Sequence, residues 1–526
     1  MLGEKISETR KKRKISQEKL AEQIGVSRQA IQKWEAGSSY PDAVNLLALA
    51  QALQVSTDAL LGNGQPSNKE LHLGRALAPS YNDVHIWESY QSQLLFEYRQ
   101  SYDEGKDIAH LQGLFNEVAR LARGDAKEQL ADVLFGLTLD ATQREDFPYD
   151  EPSDLDGIFN LSEQIIPSGK VPTGAALREK LHGAWMGRIC GCLLGKPLEC
   201  RHTDVFWPKL KETGNFPLHR YLLSSDFQEK DAEAFQLTHV SNMFIDQIDC
   251  APIDDDTNYT VLSSSIIERY GLDFTPANVA DAWVALQSKN AYCTAERVAF
   301  RNFLAGYRPP ESAVYKNPYR EWIGAQIRTD YYGYINPGDP RTAADMAWRD
   351  ASISHVKNGI YGAMFAAAML ACAAVSNDVN EVILGGLSYV PNTSRLYEDI
   401  VKILDAHTNG VSCDDCFRLI HDAYDEHNEH DWCFTNPNAQ IVVASLLYGR
   451  DYSQAICLSV QCGFDTDCNG ATVGSIYGMM HGASAIGAEW TAPIHDTLDT
   501  MIFGVGKVKV PDMVDKTIQH IELKKK

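Results

Sequence analysis

The segment GAWMGRICGCLLGKPLE, residues 183–199, is the most informative part of the sequence for predicting the fold. Glycines recur at spacing four along an apolar run, so they share one face of a helix. Because glycine has no side chain, another backbone can approach that face closely. The pattern therefore predicts a buried helix packed against a second one. Glu199 ends the run, and from the pattern alone it is either a surface carboxylate or the acid of a site.

The sequence around this stretch is also typical of helices. From about residue 175 to the end, Ala- and Gly-rich apolar segments alternate with loops, and few Val or Ile runs of period two occur. We expect an all-α protein in which residues 166–526 form a large helical domain. The longest apolar run, 359–375, is at the short limit for a membrane span, so we expect a buried helix and no membrane partner.

Composition excludes a disordered chain and a single small domain. The 526 residues are 44% hydrophobic and 22% charged, with a net charge of −22. Residues 1–60 hold nine Lys or Arg and seven Asp or Glu, which gives +2 and leaves −24 for the remainder. A neutral-to-basic N-terminal segment on an acidic body indicates that any contact with nucleic acid is local to that segment.

Cysteine usage and the first residues indicate a cytoplasmic protein. Twelve cysteines in a chain of this length are too sparse for a disulfide framework. Met1 leads into charged residues without the apolar core of a signal peptide. Cys413 and Cys416 have zinc-like spacing, but no second pair follows, and we do not predict a zinc site.

Two acidic loops each precede a helical stretch. In IDDDT, residues 253–257, adjacent carboxylates repel one another more than a helix N-terminus compensates. The loop is either an ordinary capping turn or a site for a hard divalent cation. The stretch GFDTDCNGAT, residues 463–472, offers two more carboxylates. Two such loops could face each other and share ions that orient vicinal hydroxyls and activate water.

Residues 1–62 are predicted to form five short helices. Ser16 and Ser27 are suited to cap two of them, with Gly25 breaking the chain between. A helix, a glycine turn and a polar second helix is the helix-turn-helix arrangement, in which the second helix enters the major groove. A protein-interaction bundle is the alternative. The side chains predicted to meet DNA are Gln17 (through phosphate), Ser27, Arg28, Gln29, Gln32 and Lys33.

Two segments connect this domain to the body. Residues 63–84 are rich in Gly, Pro, Ser and Asn and are predicted to be a linker. Residues 85–165 are predicted to be a helical flank with apolar stripes that could pair two chains.

The residues from Ser16 to Leu61 resemble the Cro/repressor-type helix-turn-helix domain of bacterial regulators. The resemblance implies palindromic operator DNA as a partner and a homodimer as the binding form.

From about residue 177 to about 504, the glycine-rich helix and the two acidic loops resemble the ADP-ribosylglycohydrolase superfamily. The resemblance implies an all-helical domain with two Mg²⁺ ions, Mn²⁺ being an alternative, that cleaves the N- or O-glycosidic bond of an ADP-ribosyl group. Glu199, Asp256 and Asp465 are the implied catalytic residues, with Glu199 acting as general acid or base or gating the first ion. The implied metal ligands are Asp254, Asp255, Asp256, Asp465, Asp467 and Cys468.

The resemblance also implies a set of substrate-binding residues. Gly324, Arg328, Asn336 and Gly338 match, in order, family loops that line the ribose and diphosphate. His355 and Asn358 match a Thr-His pair and a small-residue segment near the family's site. For His355 a hydrogen-bonded core histidine is the alternative.

The chain departs from the family pattern at three positions. Asp254 stands in place of threonine, Cys468 in place of a ligand threonine, and Cys192 where aspartate is usual. A thiol is a poor ligand for Mg²⁺, so these differences bear on the second ion and on the substrate.

The sequence therefore supports a hydrolase of a ribosyl or ADP-ribosyl small molecule or modified protein, fused to a DNA-binding domain. An alternative is a regulator whose body senses ADP-ribose, NAD or another ribosyl metabolite without turnover. A third hypothesis, a repressor whose body binds a protein, depends on the N-terminal domain alone.

Overall fold

The computed structural model describes residues 2–61, 80–235 and 243–524. The chain divides into two compact units, Met1–Phe147 and Pro148–Lys526. Both are helical, which confirms the all-α prediction. The segment predicted over 85–165 spans this division, and the predicted linker over 63–84 lies mostly outside the described residues.

The ends of the first helices follow from local capping chemistry. The Ser16 hydroxyl accepts a hydrogen bond from the Lys19 amide at 3.1 Å, and the Ser27 hydroxyl accepts one from the Ala30 amide at 3.2 Å. Gly25, at φ 73°, ends the helix between them. The helices of this unit are α1 Leu2–Lys12, α2 Gln17–Ile24, α3 Arg28–Glu35, α4 Ala43–Ala52, α5 Thr57–Leu61, α6 Leu94–Asp103, α7 Gln112–Ala119 and α8 Asp125–Asp140.

The second unit is larger and also helical, with two short strands before its last helix. Its helices are α9 Leu155–Asn160, α10 Gly174–Gly195, α11 Thr203–Glu212, α12 Asp255–Tyr270, α13 Pro276–Leu286, α14 Thr294–Leu304, α15 Glu311–Val314, α16 Asp330–Tyr334, α17 Pro340–Ala351, α18 Lys357–Ala373, α19 Val379–Leu387, α20 Arg395–Thr408, α21 Cys413–Ala423, α22 Glu429–Cys433, α23 Thr435–Tyr448, α24 Tyr452–Gln461, α25 Thr466–His481, α26 Ala488–Thr491 and α27 Val510–Leu523. The strands β1 Thr497–Leu498 and β2 Val508–Lys509 are antiparallel.

The centre of this unit is the antiparallel pair α10 and α25. The glycines of α10 meet small residues of α25 in order: Gly183 with Gly478, Gly187 with Gly474, Gly191 with Gly470, and Gly195 with Thr466. A Cβ built at any of these four glycines of α10 would lie within 3.0 Å of the facing backbone of α25 or of the turn that follows it. The predicted close approach is present, and the partner helix carries its own glycines at the same spacing.

Helix α18 forms another part of the core. Every residue from Asn358 to Ala373 is buried. The apolar run predicted over 359–375 therefore forms a buried helix. Within the described ranges, the structure has no helix that is both long enough and apolar enough to span a membrane.

Candidate functional site

The glycine contacts between α10 and α25 bring two segments of the sequence to one place. The C-terminal end of α10 meets the N-terminal end of α25, where the Thr466 hydroxyl donates a 2.9 Å hydrogen bond to the Gly195 carbonyl. The turn that follows α10 therefore lies beside the second acidic loop. Any wider helix contact would separate the two.

The second acidic loop is fixed by its backbone and by an asparagine. Gly463 has φ 89° and Phe464 has φ 56°, so the chain turns sharply before α25. The amide of Asp465 donates to Asn438 Oδ1 at 3.1 Å, and Asn469 Nδ2 donates to the same oxygen at 2.8 Å. Asn438 on α23 thus holds both ends of the turn that presents Asp465.

The first acidic loop is fixed by an arginine from α10. Arg188 donates to the Asp256 carbonyl at 2.8 and 3.1 Å and to Asp256 Oδ1 at 3.2 Å. The same guanidinium pairs with Asp330 at 2.8 Å. Asp254 caps α12 by accepting the Asp256 amide at 3.1 Å. The side chain of α10 that lies between the glycines therefore anchors the acidic start of α12.

These two loops bring most of the predicted ligands together. In a first group, one ligand atom from each of Cys192, Asp254, Asp256 and Asp467 lies within 4.8 Å of the others. In a second group the same holds for Asp465, Asp467 and Cys468. Asp467 belongs to both groups, so the two are continuous. Asp255, also a predicted ligand, lies outside both groups.

The carboxylates of these two groups, Asp254, Asp256, Asp465 and Asp467, are called the acidic cluster below. Their pKa values are shifted in different directions. Burial and the charges of Asp254 and Asp255, opposed by Arg188, raise the pKa of Asp256 well above its ordinary value. Burial and the neighbouring carboxylates do the same to the pKa of Asp465 and of Asp467.

Asp254 behaves in the opposite way. Its burial tends to raise its pKa, but the ammonium of Lys196 forms an ion pair with it and holds the pKa below its ordinary value. Lys196 therefore neutralises Asp254 and Arg188 partly compensates Asp256, while the remaining carboxylate charge carries repulsion that a cation would relieve.

The oxygens of the acidic cluster suit a divalent cation. Asp256 Oδ2 and Asp467 Oδ1 are buried and have no hydrogen-bond partner among the described residues. Such atoms are costly unless an ion or water satisfies them. Carboxylate oxygens are the ligands that Mg²⁺ and Mn²⁺ prefer, whereas the thiols of Cys192 and Cys468 are not. The carboxylates fit the ion, and the thiols do not add to the fit.

Glu199 lies at the edge of the acidic cluster. It follows the short turn Lys196–Leu198 that ends α10, and its amide donates to the Gly195 carbonyl at 3.1 Å. Burial, the charge of Asp467 and that of Asp254 raise the pKa of Glu199 well above its ordinary value. A carboxyl group whose pKa is raised is better suited to donate a proton as a general acid.

Of the predicted substrate-binding residues, Gly324, Arg328 and His355 belong to one buried network. Arg328 pairs with Glu296 at 2.8 Å and with Asp350, and it donates to the Ser354 hydroxyl at 2.8 Å. The Ser354 hydroxyl is also 2.8 Å from His355 Nδ1. A Cβ at Gly324 would lie 2.6 Å from the Glu296 carboxyl carbon, so glycine leaves the space that Glu296 fills.

This network adjoins Asp255. Burial, opposed by Arg328 and reinforced by the charge of Asp255, raises the pKa of Glu296 to about 7. Burial and the guanidinium of Arg328 lower the pKa of His355 well below its ordinary value, so its ring is neutral. The structure therefore places Arg328 and His355 as buried, hydrogen-bonded residues near the edge of the acidic cluster.

The structure does not bring Asn336 and Gly338 to the acidic cluster. The Gly338 amide donates to the Ala371 carbonyl near the C-terminal end of α18. Lys180 joins that end of α18 to the last residues of α25, since it donates to Ala373 at 3.2 Å and to Met480 at 2.7 Å. The acidic cluster is at the opposite end of α25. Matching order along the sequence placed these residues at the site, but the helix direction separates them from it.

Asn358 is also held by protein groups. Its side-chain Nδ2 donates to Glu151 at 2.9 Å and to Glu321 at 2.8 Å, and its side-chain Oδ1 accepts a hydrogen bond from the Leu396 backbone amide at 3.0 Å. Arg395 pairs with both glutamates at 2.7 Å. This arrangement fixes the start of α18 against α20 and leaves Asn358 no free hydrogen-bonding atom.

The predicted DNA-binding residues lie mainly on one exposed surface of the first unit. Residues 27, 28, 29, 32 and 33 at the start and along α3 are all exposed. Arg28 Nε pairs with Glu18 Oε1 at 2.9 Å. Gln17 differs from this set, because its amide donates to Glu35 at 2.8 Å, and Glu35 is also paired with Arg10 at 2.6 Å.

Comparison with known proteins covers both units. A family model described as ADP-ribosylglycohydrolase matches residues 173–522, which is more than half of the chain. The chain belongs to the ADP-ribosylglycohydrolase family. The resemblance predicted from the glycine-rich helix and the two acidic loops is confirmed. A solved ADP-ribosylglycohydrolase-related protein complex aligns at 16% identity and a TM-score of 0.41, covering 66% of this chain and 98% of that one.

A helix-turn-helix family model matches residues 6–60. The Repressor protein C2 of Salmonella phage P22 is 45% identical over 73 residues, 14% of this chain and 34% of that protein. The HTH-type transcriptional activator BcrR of Enterococcus faecalis is 43% identical over 59 residues, 11% and 29% respectively. The chain thus spans about a third of these curated relatives, and the Cro/repressor-type domain is confirmed.

Sequence reasoning missed several residues of this glycohydrolase-family site. Lys196, Arg188 and Asn438 hold the acidic loops, and Glu296 joins the network beside Asp255. Lys196 lies within the quoted glycine-rich stretch, but its partner Asp254 is 58 residues away in the sequence, so no local signal indicates the pair. Arg188 and Asn438 act across the fold and leave no local pattern.

Proposed function

We propose that this chain is a DNA-binding protein whose second unit hydrolyses a glycosidic bond of a ribosyl or ADP-ribosyl compound with the help of a divalent cation, Mg²⁺ or Mn²⁺. The observation that carries the proposal is the pair of orphaned, buried oxygens of Asp256 and Asp467 within the acidic cluster of a glycohydrolase-family unit. Oxygens of this kind are stable in a protein when they bind a cation.

Asp256, Asp465 and Asp467 would hold the cation. A divalent cation bound there supplies Lewis acidity towards vicinal hydroxyls and lowers the pKa of water. Glu199 would hold a proton and pass it to the leaving atom as the glycosidic bond breaks. It would then take a proton from the water that adds to the anomeric carbon. The negative charge of the surrounding carboxylates would stabilise positive charge that develops on the sugar.

The test is turnover by the full chain. The protein is incubated with Mg²⁺ or Mn²⁺ and a panel of ADP-ribosylated and N-ribosyl compounds, and released ribose or ADP-ribose is measured. We expect release from at least one compound, and loss of release in Asp465→Asn. The matched control is Asp414→Asn, an exposed acid in the first turn of α21, which should leave release unchanged. Equal release from wild type and Asp465→Asn would contradict the assignment.

The first unit is proposed to bind a palindromic operator as a dimer. The exposed side chains of α3 support this, because Arg pairs with guanine and Gln with adenine in the major groove. Selection of binding sequences from a random DNA pool, followed by sedimentation of the complex, tests both parts. Recovery of no common sequence would contradict base recognition.

A second candidate function is ligand sensing without turnover. The observation that favours it is the pair of thiols, Cys192 and Cys468, within the two ligand groups. Calorimetry with ADP-ribose and Mg²⁺ distinguishes the two functions. Binding without release of product from any compound of the panel would support sensing and contradict hydrolysis.

A further inference from the structure

The carboxylate of Asp254 is already satisfied by the protein. Its Oδ1 accepts the Asp256 amide at 3.1 Å, and its Oδ2 forms an ion pair with the Lys196 ammonium. With a backbone amide on one oxygen and an ammonium on the other, both oxygens of this carboxylate already have a protein donor, which reduces its capacity to bind a metal ion.

Asp256 also has a cationic partner, because Arg188 Nη2 lies 3.2 Å from its Oδ1, but that guanidinium is shared with Asp330. Asp256 Oδ2 and Asp467 Oδ1 have no hydrogen-bond partner among the described residues, although both are buried. Asp467 also shares the second ligand group with Asp465. The buried oxygens of the cluster that still lack a donor from the described part of the chain therefore belong to Asp256 and Asp467, and none belongs to Asp254.

Lys196 is built into the cluster. It follows directly on the last glycine of α10, whose backbone is pressed against Thr466 and Asp467, and its side chain is 16% exposed. Asp254, its partner, is 3% exposed. Burying an ammonium is costly unless a carboxylate compensates it, so removing either partner would leave the other as an uncompensated buried charge. A divalent cation on Asp254 would have to displace Lys196 or tolerate its repulsion.

We propose that the Lys196 ammonium provides the positive charge that a second divalent ion would bring, so that the chain binds one divalent cation, held by Asp256, Asp465 and Asp467. This inference depends on the proposed cation-dependent function, and it changes the expected number of ions from two to one. Asp254 becomes a partner of Lys196 rather than a metal ligand.

The number of bound ions is the direct test. The full chain is dialysed to equilibrium against Mn²⁺, and manganese per chain is measured by elemental analysis. Electron paramagnetic resonance gives an independent count, because two Mn²⁺ ions in a shared site lie about 3.5–4 Å apart and couple magnetically. We expect one Mn²⁺ per chain and the spectrum of an isolated ion.

Variants separate the charge of Lys196 from its size. Lys196→Met removes the charge and frees Asp254, and we expect the count to rise to two with a coupled spectrum. Lys196→Arg keeps the charge and should keep the count at one. The double variant Lys196→Met with Asp254→Asn leaves no unpaired buried charge, and it should also bind one ion. This variant decides the matter if Lys196→Met does not fold.

The possible ion counts test the role of Lys196 separately from the proposed cation-dependent hydrolysis. Two ions in the wild type would overturn the role of Lys196 and leave the proposed function standing. No bound ion would overturn both. One ion in folded Lys196→Met, or none in the double variant, would overturn the assignment of Lys196 as the second charge and of Asp254 as its partner.

Discussion

The glycine contacts between α10 and α25 give a prediction that links the fold to the site. A Cβ at Gly191 would lie 1.9 Å from the Gly470 carbonyl oxygen, whereas ordinary contacts begin at 3.4 Å. Gly191→Ala must therefore move the helices apart by about 1.5 Å. Overpacking of this kind costs about 1–3 kcal/mol. Because the acidic cluster lies at the end of this helix pair, we expect affinity for Mn²⁺ to fall as well.

Scanning calorimetry on the full chain provides the measurement. For a unit as large as the second one, this loss lowers the melting temperature by about 1–4 °C. The matched control is Gly113→Ala in α7, where a Cβ would meet nothing within 4 Å. Its lower unfolded-state entropy should stabilise the first unit by about 0.5–1 kcal/mol. An unchanged melting temperature of the second unit in Gly191→Ala would refute the close-approach argument.

Three further predictions concern DNA, pH and coupling. Arg28→Ala and Gln29→Ala should each cost about 1–3 kcal/mol of operator binding, measured by fluorescence anisotropy; an equal loss on random DNA would leave only phosphate contact. Burial and the charge of Asp254 raise the pKa of Asp255 to about 6. In metal-free protein the protonated Asp255 side chain therefore stabilises the fold at low pH, and this stabilisation is lost as the pH rises to 6. Denaturant unfolding should therefore show Asp255→Asn gaining stability relative to wild type between about pH 4 and pH 7, and a constant difference would count against the shift. If the second unit senses its ligand, ADP-ribose with Mg²⁺ should change operator affinity by about 1–3 kcal/mol, and DNA should change ligand affinity by the same factor; no change at saturating ligand would exclude sensing.

Local chemistry explains what the sequence allowed us to predict. Ser16, Gly25 and Ser27 act within a few residues of themselves, so the helix ends of the first unit follow from capping rules. The glycine spacing of α10 likewise reports a close helix contact wherever the partner lies in the chain. The acidic loops could be recognised because several carboxylates precede a helix.

Interactions across the fold explain what could not be predicted. Lys196 and Asp254 are 58 residues apart, and nothing local indicates that one neutralises the other. Asn336 and Gly338 were assigned by their order along the sequence, which carries no information about which end of α25 they would meet. Gln17 shows the same limit on a smaller scale, because its pairing with Glu35 depends on the packing of α2 against α3.

We expect the acidic cluster at the junction of α10 and α25 to bind a divalent cation. Calorimetric titration of Mn²⁺ into the full chain checks this, with Asp465→Asn and Asp467→Asn as variants and Asp414→Asn as the control. We predict that wild type and Asp414→Asn bind Mn²⁺ with the same affinity. Both site variants should stay folded by circular dichroism and show no binding. Undiminished Mn²⁺ affinity in folded Asp465→Asn and Asp467→Asn would contradict the claim.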